Sequence, residues 1–482
     1  MGCHGAAMPA NPANRLRPLL PLAGLLMAGC ATFHPLPLDS GRGVRRVADV
    51  RAPAAAMPTP ALRTHRFDPS DGLDVTETAM LAVANDPQLR IERDKAGVAR
   101  AQAYAAGLLP DPQLGYERDY PLVRQVGTTK AYTATLDFDL GNLVTRSARV
   151  KSARAGAQEV DLNLLWSEWQ AIAKARTLFD RVYYLRQLVA RLEREQAALA
   201  PLQSAVTRAL RSGDLTYATA AAGLNAASEV GNQLNDAQHQ LDLAEHDLHD
   251  LLGLDLAVPL HLTGGPFSVA PSAADVQRAL AGMPHRRPDL LALEAGYLSQ
   301  NEALRAAILA QFPAISVGFV RAHDNSGVAT AGFSVSLSLP LFNRNRGNIA
   351  IERARRRQLH DEYSARLMTD RNDVQRLFAD LEGDRVQRRA LAAHAKQLAK
   401  ARQAARSDYA AGRLDWPTYL AIRASSLAAD TALLTLQRDS HETAVALDAL
   451  VGTWPRADDD TAAVRPGVAR KAGAGTRSQA ER

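Results

Sequence analysis

Hydrophobic and polar positions along the 482-residue chain follow two different periods. Over most of its length apolar residues recur at helical spacing. Ile172, Phe179, Val182 and Val189 mark one seam, while Leu178, Leu185 and Leu192 recur every seven residues along another. Leu234, Leu241 and Leu248 repeat that step, as do Leu420, Leu427 and Leu434. Heptad spacing calls for coiled-coil contact, and two seams on one helix call for a neighbour on each side. In four short stretches the period drops to two. Ala131 to Leu140 sets Tyr132, Ala134, Leu136, Phe138 and Leu140 against Thr133, Thr135, Asp137 and Asp139. Phe333 to Pro340 alternates Phe333, Val335, Leu337 and Leu339 with Ser334, Ser336 and Ser338. Ile315, Val317 and Phe319 oppose Ser316 and Gly318, and in Gln113 to Tyr120 Leu114 and Tyr116 oppose Gln113, Gly115 and Glu117. Successive side chains of a strand point to opposite faces, so each stretch reads as a strand with one apolar and one polar face.

The two periods alternate in an order that occurs twice. "NDPQLR" at Asn85 answers "RRPDLL" at Arg286, "LDFDLGN" at Leu136 answers "LSLPLFNRNRGN" at Leu337, and "LRSGDLTY" at Leu210 answers "YAAGRLDWPTY" at Tyr409. The offset is about 200 residues throughout, as an internal duplication leaves it. Each half is expected to contain a helix (Val75 to Leu108; Asp289 to Ala310), two strands, a very long helix (Ser147 to Leu210; Asn348 to Ala411), a glycine-centred turn and a further helix (Leu215 to Leu252; Leu414 to Val451). A helix of about 64 residues reaches roughly 95 Å, far more than a compact globule requires. The expected divisions are residues 1–29, 30–70, 71–270 and 271–455 for the export signal, a tether and the two repeats, with 456–482 as a disordered tail.

Composition narrows the function classes. Lys and Arg number 57 against 51 Asp and Glu, for a net charge of +6, and the arginines are spread along the chain. That is no nucleic-acid footprint, which clusters basic residues on one face with interleaved aromatics. Arg15 and Arg17 precede a short apolar run, Leu19 to Ala28, too short to span a membrane but suited to a secretory signal. The run ends in "LLMAGC", which resembles the bacterial lipoprotein cleavage box and implies a mature chain starting at a lipid-modified Cys30. Ala31, where Asp would signal retention in the inner membrane, implies the outer membrane.

The strands approach the nine to eleven residues that cross a bilayer. A soluble sheet with one buried face would show the same alternation. In lipid, however, an open edge leaves backbone groups unpaired at several kcal/mol each, and four strands cannot close a barrel. Two chains would supply eight strands and three would supply twelve. The doubled layout, "RRPDLL", "LSLPLFNRNRGNI" and "YAAGRLDWPTYL" resemble the TolC-type outer-membrane efflux channels, especially lipoprotein members that serve heavy-metal pumps of the resistance-nodulation-division class. The similarity covers roughly Val75 to Gly452. It implies a mixed α and β membrane protein: a homotrimer whose chains each give four strands to a shared twelve-stranded transmembrane β-barrel and long helices to a coiled-coil tunnel in the periplasm. It also implies a periplasmic adaptor and an inner-membrane pump as partners, with metal cations or other toxic compounds as cargo.

The helical turns are the candidate docking tips. In the resembled family such tips meet the adaptor, which marks Gly213, Leu215, Tyr217, Gly412, Leu414 and Trp416. Gly213 and Gly412 allow a tight turn, and Asp214 or Asp415 can cap the following helix. Asp214, Asp408 and Asp415 could also form carboxylate rings about a three-fold axis, a candidate periplasmic gate. Arg146, Arg149, Lys151 and Arg154 follow the first hairpin, and Arg344, Arg346, Arg353, Arg355, Arg356 and Arg357 the second, where cationic side chains reach lipid phosphates or simply face solvent. "DLAEHDLHD" places Asp242, His246, His249 and Asp250 at helical spacings that could hold a transition metal, but it reads better as a polar helix face. No phosphate loop, nucleophile elbow or HExxH motif occurs, so no catalytic residue, cofactor or metal site is expected. An exported coiled-coil structural or adhesion protein, with its strands in a small soluble sheet, remains the alternative.

Overall fold

The computed structural model describes residues 33–38, 44, 46–123, 127–266 and 271–452. The signal segment 1–29, Cys30 and the tail 456–482 lie outside the described residues. Two units separate within the chain, Met1–Gly43 and Val44–Arg482. In the first, residues 33–38 carry no regular secondary structure and are exposed.

The main elements of the second unit are α1 (Pro60–Thr64), α2 (Val75–Asn85), α3 (Pro87–Gly107), β1 (Gln113–Asp119), β2 (Ala131–Asp139), α4 (Gly141–Ser212), α5 (Tyr217–Leu252), α6 (Ala273–Gly282), α7 (Pro288–Leu309), β3 (Ile315–His323), β4 (Ala329–Leu337), α8 (Arg346–Ala410) and α9 (Trp416–Val451). The order of short helix, hairpin, long helix and shorter helix therefore occurs twice. With 72 and 65 residues, α4 and α8 each extend about 100 Å.

Both seams of α4 are buried. Ile172, Leu178, Phe179, Val182, Leu185, Val189 and Leu192 all leave solvent, because α4 lies against α5 of its own repeat and against α7 and α9 of the other. Towards the helical turns Val189, Leu192 and Leu199 of α4 meet Val230, Leu234 and Ala237 of α5 and Leu420 and Leu427 of α9. Arg191 to Asp430 (2.5 Å), Arg423 to Glu195 (2.6 Å) and Arg181 to Glu442 (2.9 Å) join α4 to α9 along the same seam.

The repeats diverge where each begins. Asp86 ends α2, its N–H donating to the Ala82 carbonyl, and also starts α3, its carboxylate accepting from the Gln88 N–H. Pro87, which lacks an N–H and fits the first position of a helix, completes the break. The single helix expected from Val75 to Leu108 is thus two. Asn85 turns its amide to the Leu252 and Gly253 carbonyls at the end of α5, 2.5 and 3.2 Å away. At the matching place in the second repeat, Arg287 is wholly buried over the face of Trp166 and pairs with Asp289 just inside α7 and with Asp370 of α8. Guanidinium charge there is matched by two carboxylates, with Arg366 closing the group at 3.2 Å from Asp289.

A further difference lies in residues 30–70. Expected to be a tether throughout, this segment is packed from Val44 onward. Met57 and Leu62 are buried in the same core as Leu81, Ile172 and Leu248. Val44 pairs with Leu254 and Leu73 with Leu262, in parallel bridges. Prolines and alanines here hide a strap that needs only a few apolar anchors and so shows no period.

Candidate functional site

The four strands form one antiparallel sheet in the order β1-β2-β3-β4, so that the two hairpins join through β2 and β3. Register decides which residues share a face. Leu114 stands opposite Leu136, Leu136 opposite Phe319, and Phe319 opposite Phe333. These four side chains cross the sheet in a row on one side, with Tyr116, Phe138, Ile315, Val335 and Leu337 on the same face. That face is uncovered: Phe333 is 90% exposed and Leu114 79%. Near the hairpin turns Tyr116 stacks on Tyr132, and Tyr132 on His323. Arg118 and Lys130 sit over the ring of Tyr120. Aromatic rings at the ends of an apolar band are the arrangement of a sheet at a lipid–water boundary.

The opposite face carries Glu117, Asp119, Asp137 and Asp139 among Thr, Ser, Gly and Ala with Gln113 and Val320, and no Lys or Arg occupies any strand position of that side. Small residues make room for it. A Cβ at Gly318 would strike the Asp137 carboxylate and come 2.6 Å from the Ser334 hydroxyl, and one at Gly115 would come 2.5 Å from the Thr135 hydroxyl. Among the described residues the outer edges of β1 and β4 have no strand partner. β4 begins at Ala329 and ends at Leu337, earlier than the expected Phe333 to Pro340. Pro340 therefore lies beyond the ladder, where its missing N–H costs nothing.

At the other end of the helices the chain turns twice. Gly213 adopts φ +77°, and the N–H groups of Asp214 and Leu215 both return to the Ala209 carbonyl, at 2.9 and 3.2 Å. This closure occupies the turn and displaces the expected cap: Thr216, not Asp214, accepts from the Thr219 N–H and starts α5. Asp214 accepts instead from the Ser212 hydroxyl at 2.6 Å. In the second turn Gly412 adopts φ +69° and Asp415 does cap α9, accepting from the Thr418 N–H at 2.8 Å. Hydrogen bonds from Thr418 hold the Asp415 carboxyl below the usual carboxylate range. Asp408 is held by Arg413 at 2.6 Å. Each of the three candidate gate carboxylates thus has a partner within its own turn.

The docking candidates separate into two kinds. Tyr217 is 80% exposed and Gly213 and Gly412 are exposed, while Leu215 and Leu414 are half-buried. Trp416 is half-buried and lies on Gly223 of α5, where a Cβ would come 2.5 Å from its ring. It braces one turn against the other. Tyr409 and Tyr419, stacked with centroids 4.6 Å apart, stiffen the second turn from behind. Neither Gly223 nor this stack is conspicuous in the sequence, since both depend on which helices are neighbours.

Other residues singled out by pattern find ordinary places. Arg146 donates to the Gly107 carbonyl, Arg149 to that of Asn142 and Arg346 to that of Phe342, which ties the strand–helix junctions together. His249 is buried with both ring nitrogens 2.7 Å from the carbonyls of Glu245 and Val258, leaving no nitrogen for a metal. Missing from the sequence reading is a buried polar group between α4 and α9. Asp180 is 1% exposed, with His441 at 3.9 Å. Burial pushes its carboxyl up to about 7, against the opposing pull of Arg176. Burial and the Arg388 charge lower the pKa of His441.

An open sheet with one apolar exposed face is thus set on two helices about 100 Å long, each folded back on a shorter one. Residues 279–453 match the family described as outer membrane efflux protein. The chain is similar in structure to CusC, a former of transmembrane channels (TM-score 0.66, 20% identity, 82% of this chain and 97% of that one). It is likewise similar to a membrane protein from Pseudomonas aeruginosa (TM-score 0.68, 18% identity, 87% and 96%). The CmeC outer-membrane channel of Campylobacter jejuni gives a TM-score of 0.65 at 14% identity, over 89% and 96%. No curated protein matches the chain significantly. The fold is that of these outer-membrane channels, and the second repeat carries the sequence pattern of the outer membrane efflux protein family.

Proposed function

We propose that three copies of this chain close a twelve-stranded barrel in the outer membrane and a helical tunnel beneath it. In this reading the protein is the passive exit duct of a tripartite system driven by a resistance-nodulation-division pump. The observation that carries the reading is the sheet: one face apolar and uncovered, the other acidic, and, among the described residues, both edges unpaired. In lipid such edges are tolerated only when neighbouring copies complete the hydrogen bonds. The acidic face then lines the exit and favours cations over anions. That preference supports metal cations as cargo, while drugs and other toxic compounds share the route in the broader reading. Cys30 carries the lipid anchor, and the exposed Tyr217 with the Gly213 and Gly412 turns receives the periplasmic adaptor. Opening at Asp214, Asp408 and Asp415 requires neighbouring hairpins to slide apart, with the adaptor binding the open arrangement better than the closed one.

The test is direct. Detergent-extracted protein should run as a heat-labile trimer and give discrete cation-preferring conductance steps in planar bilayers. A water-soluble monomer without conductance would overturn the duct and leave the coiled-coil structural alternative. Deletion followed by a panel of metals and drugs then reads the cargo.

A further inference from the structure

Where the strap meets α2, three side chains from different parts of the chain converge. His65 follows α1, Asp74 is the N-cap of α2, and Glu77 lies in its first turn. The His65 Nε2 is 3.5 Å from Asp74 Oδ2 and 3.9 Å from Glu77 Oε1, and one donor atom from each of the three residues falls within 4.8 Å of the others. Four ligands at about 2.0–2.1 Å from a tetrahedral metal stand about 3.4 Å apart, so His65 and Asp74 are spaced as two corners of such a site and Glu77 has to close towards them to make the third. Among the described residues neither carboxylate has a Lys or Arg partner, so the imidazole alone faces two negative groups.

The carboxylates are also held in place. Asp74 Oδ1 accepts from the N–H groups of Thr76 and Glu77, which leaves Oδ2 turned to the imidazole. Glu77 Oε2 accepts from the Asp74 N–H and Oε1 from the Asp68 N–H. Backbone donors of this sort orient metal-binding carboxylates in the way outer-shell partners do. His65 and Asp74 are about one-third exposed, which gives an ion a path in and a water room at the fourth corner, while Glu77 closes the inner side.

We propose that His65, Asp74 and Glu77 bind one divalent transition ion of the zinc type, and that the ion pins the strap to α2. One imidazole with two carboxylates suits zinc, cobalt or nickel; calcium and magnesium prefer oxygen alone. Pinning acts on the segment that leads from the N-terminal unit into the core, through Met57 and Leu62.

Full-length protein purified in detergent without a polyhistidine tag and stripped with chelator is titrated with Zn²⁺ by calorimetry. Co²⁺ serves as the visible-absorption probe. Wild type should take up one equivalent per chain with a tetrahedral cobalt spectrum, and Zn²⁺ should slow tryptic cleavage at Arg63 and Arg66. His65→Gln and Glu77→Gln leave the Asp74 cap in place and should each weaken binding at least tenfold. Absence of stoichiometric zinc in wild type, or equal uptake and equal protection in both variants, overturns the site.

Discussion

Arg287 Nη1 lies 3.2 Å from Asp370 Oδ2 in the interior, joining the start of α7 to the middle of α8. The arginine is fully buried and its Nε and Nη2 make paired hydrogen bonds to Asp289 at 2.9 and 2.6 Å. The contact with Asp370 lacks hydrogen-bond geometry and acts through charge. Burial raises the Asp370 pKa, a pull that the Arg287 charge opposes. Removing one partner of a buried ion pair strands the other, which costs about 3–5 kcal/mol. Arg287→Met should fall near the lower end of that range, because Arg366 still reaches Asp289. Denaturant midpoints of the single variants and of Arg287→Met/Asp370→Asn check it: the double should be more stable than the sum of the singles implies.

The pH dependence of stability should centre on Asp180. Its folded pKa of about 7 lies above the ordinary 3.8, so the folded protein holds a proton that the unfolded chain has released. The associated stability is complete below about pH 4 and is lost as pH rises through 7. His441, with a lowered folded pKa, works in the opposite sense: its contribution is present above 6.5 and is lost as pH falls from there through the folded value. Asp180→Asn should reduce the decline between pH 4 and 7, leaving the smaller contributions of carboxyls such as Asp370 and the opposing histidine slope. Melting curves taken at half-unit steps decide; an unchanged profile refutes the assignment.

On the sheet, the two faces predict opposite tolerances. Phe319→Arg places a charge on the apolar side and should cost about 2–4 kcal/mol at the middle of a bilayer, enough to reduce the assembled fraction sharply. Thr133→Lys points to the acidic side opposite Glu117 and should assemble normally while lowering cation preference. Outer-membrane fractionation reads the first and reversal potentials in asymmetric salt read the second.

At the turns, Gly223→Ala should dislodge Trp416. The added methyl would sit 2.5 Å from the indole, and relief requires the ring to swing outward. A cost of about 1–3 kcal/mol is expected for such overpacking. In a protein whose other tryptophans are replaced by phenylalanine, emission of Trp416 should shift to the red and trypsin should cut faster at Arg413.

How far these features could be read from the sequence depended on whether a local rule governed them. Strand faces were legible because Leu136 and Thr135 point to opposite sides of one sheet, an apolar side and a polar one, which imposes strict alternation on neighbouring residues. The seams of Leu178 and Ile172 were legible for the same reason at helical period. The strap was not, since Met57 and Leu62 anchor it singly between prolines. Capping failed by two residues at Asp214, where several residue types can cap and only the closure around Gly213 selects Thr216. Asp180, Gly223 and the trio around His65 required knowledge of which helices and loops touch, and no local pattern encodes that.

The pairing of Leu136 with Phe319 has a temporal consequence. About 180 residues separate them, and loop closure over such a distance makes strand pairing slow relative to helix formation. The first hairpin emerges long before its partner exists and cannot complete its sheet alone. Completion of the four-stranded sheet therefore waits until the chain has been made as far as Leu337, by which time α4 and α5 are already available to fold.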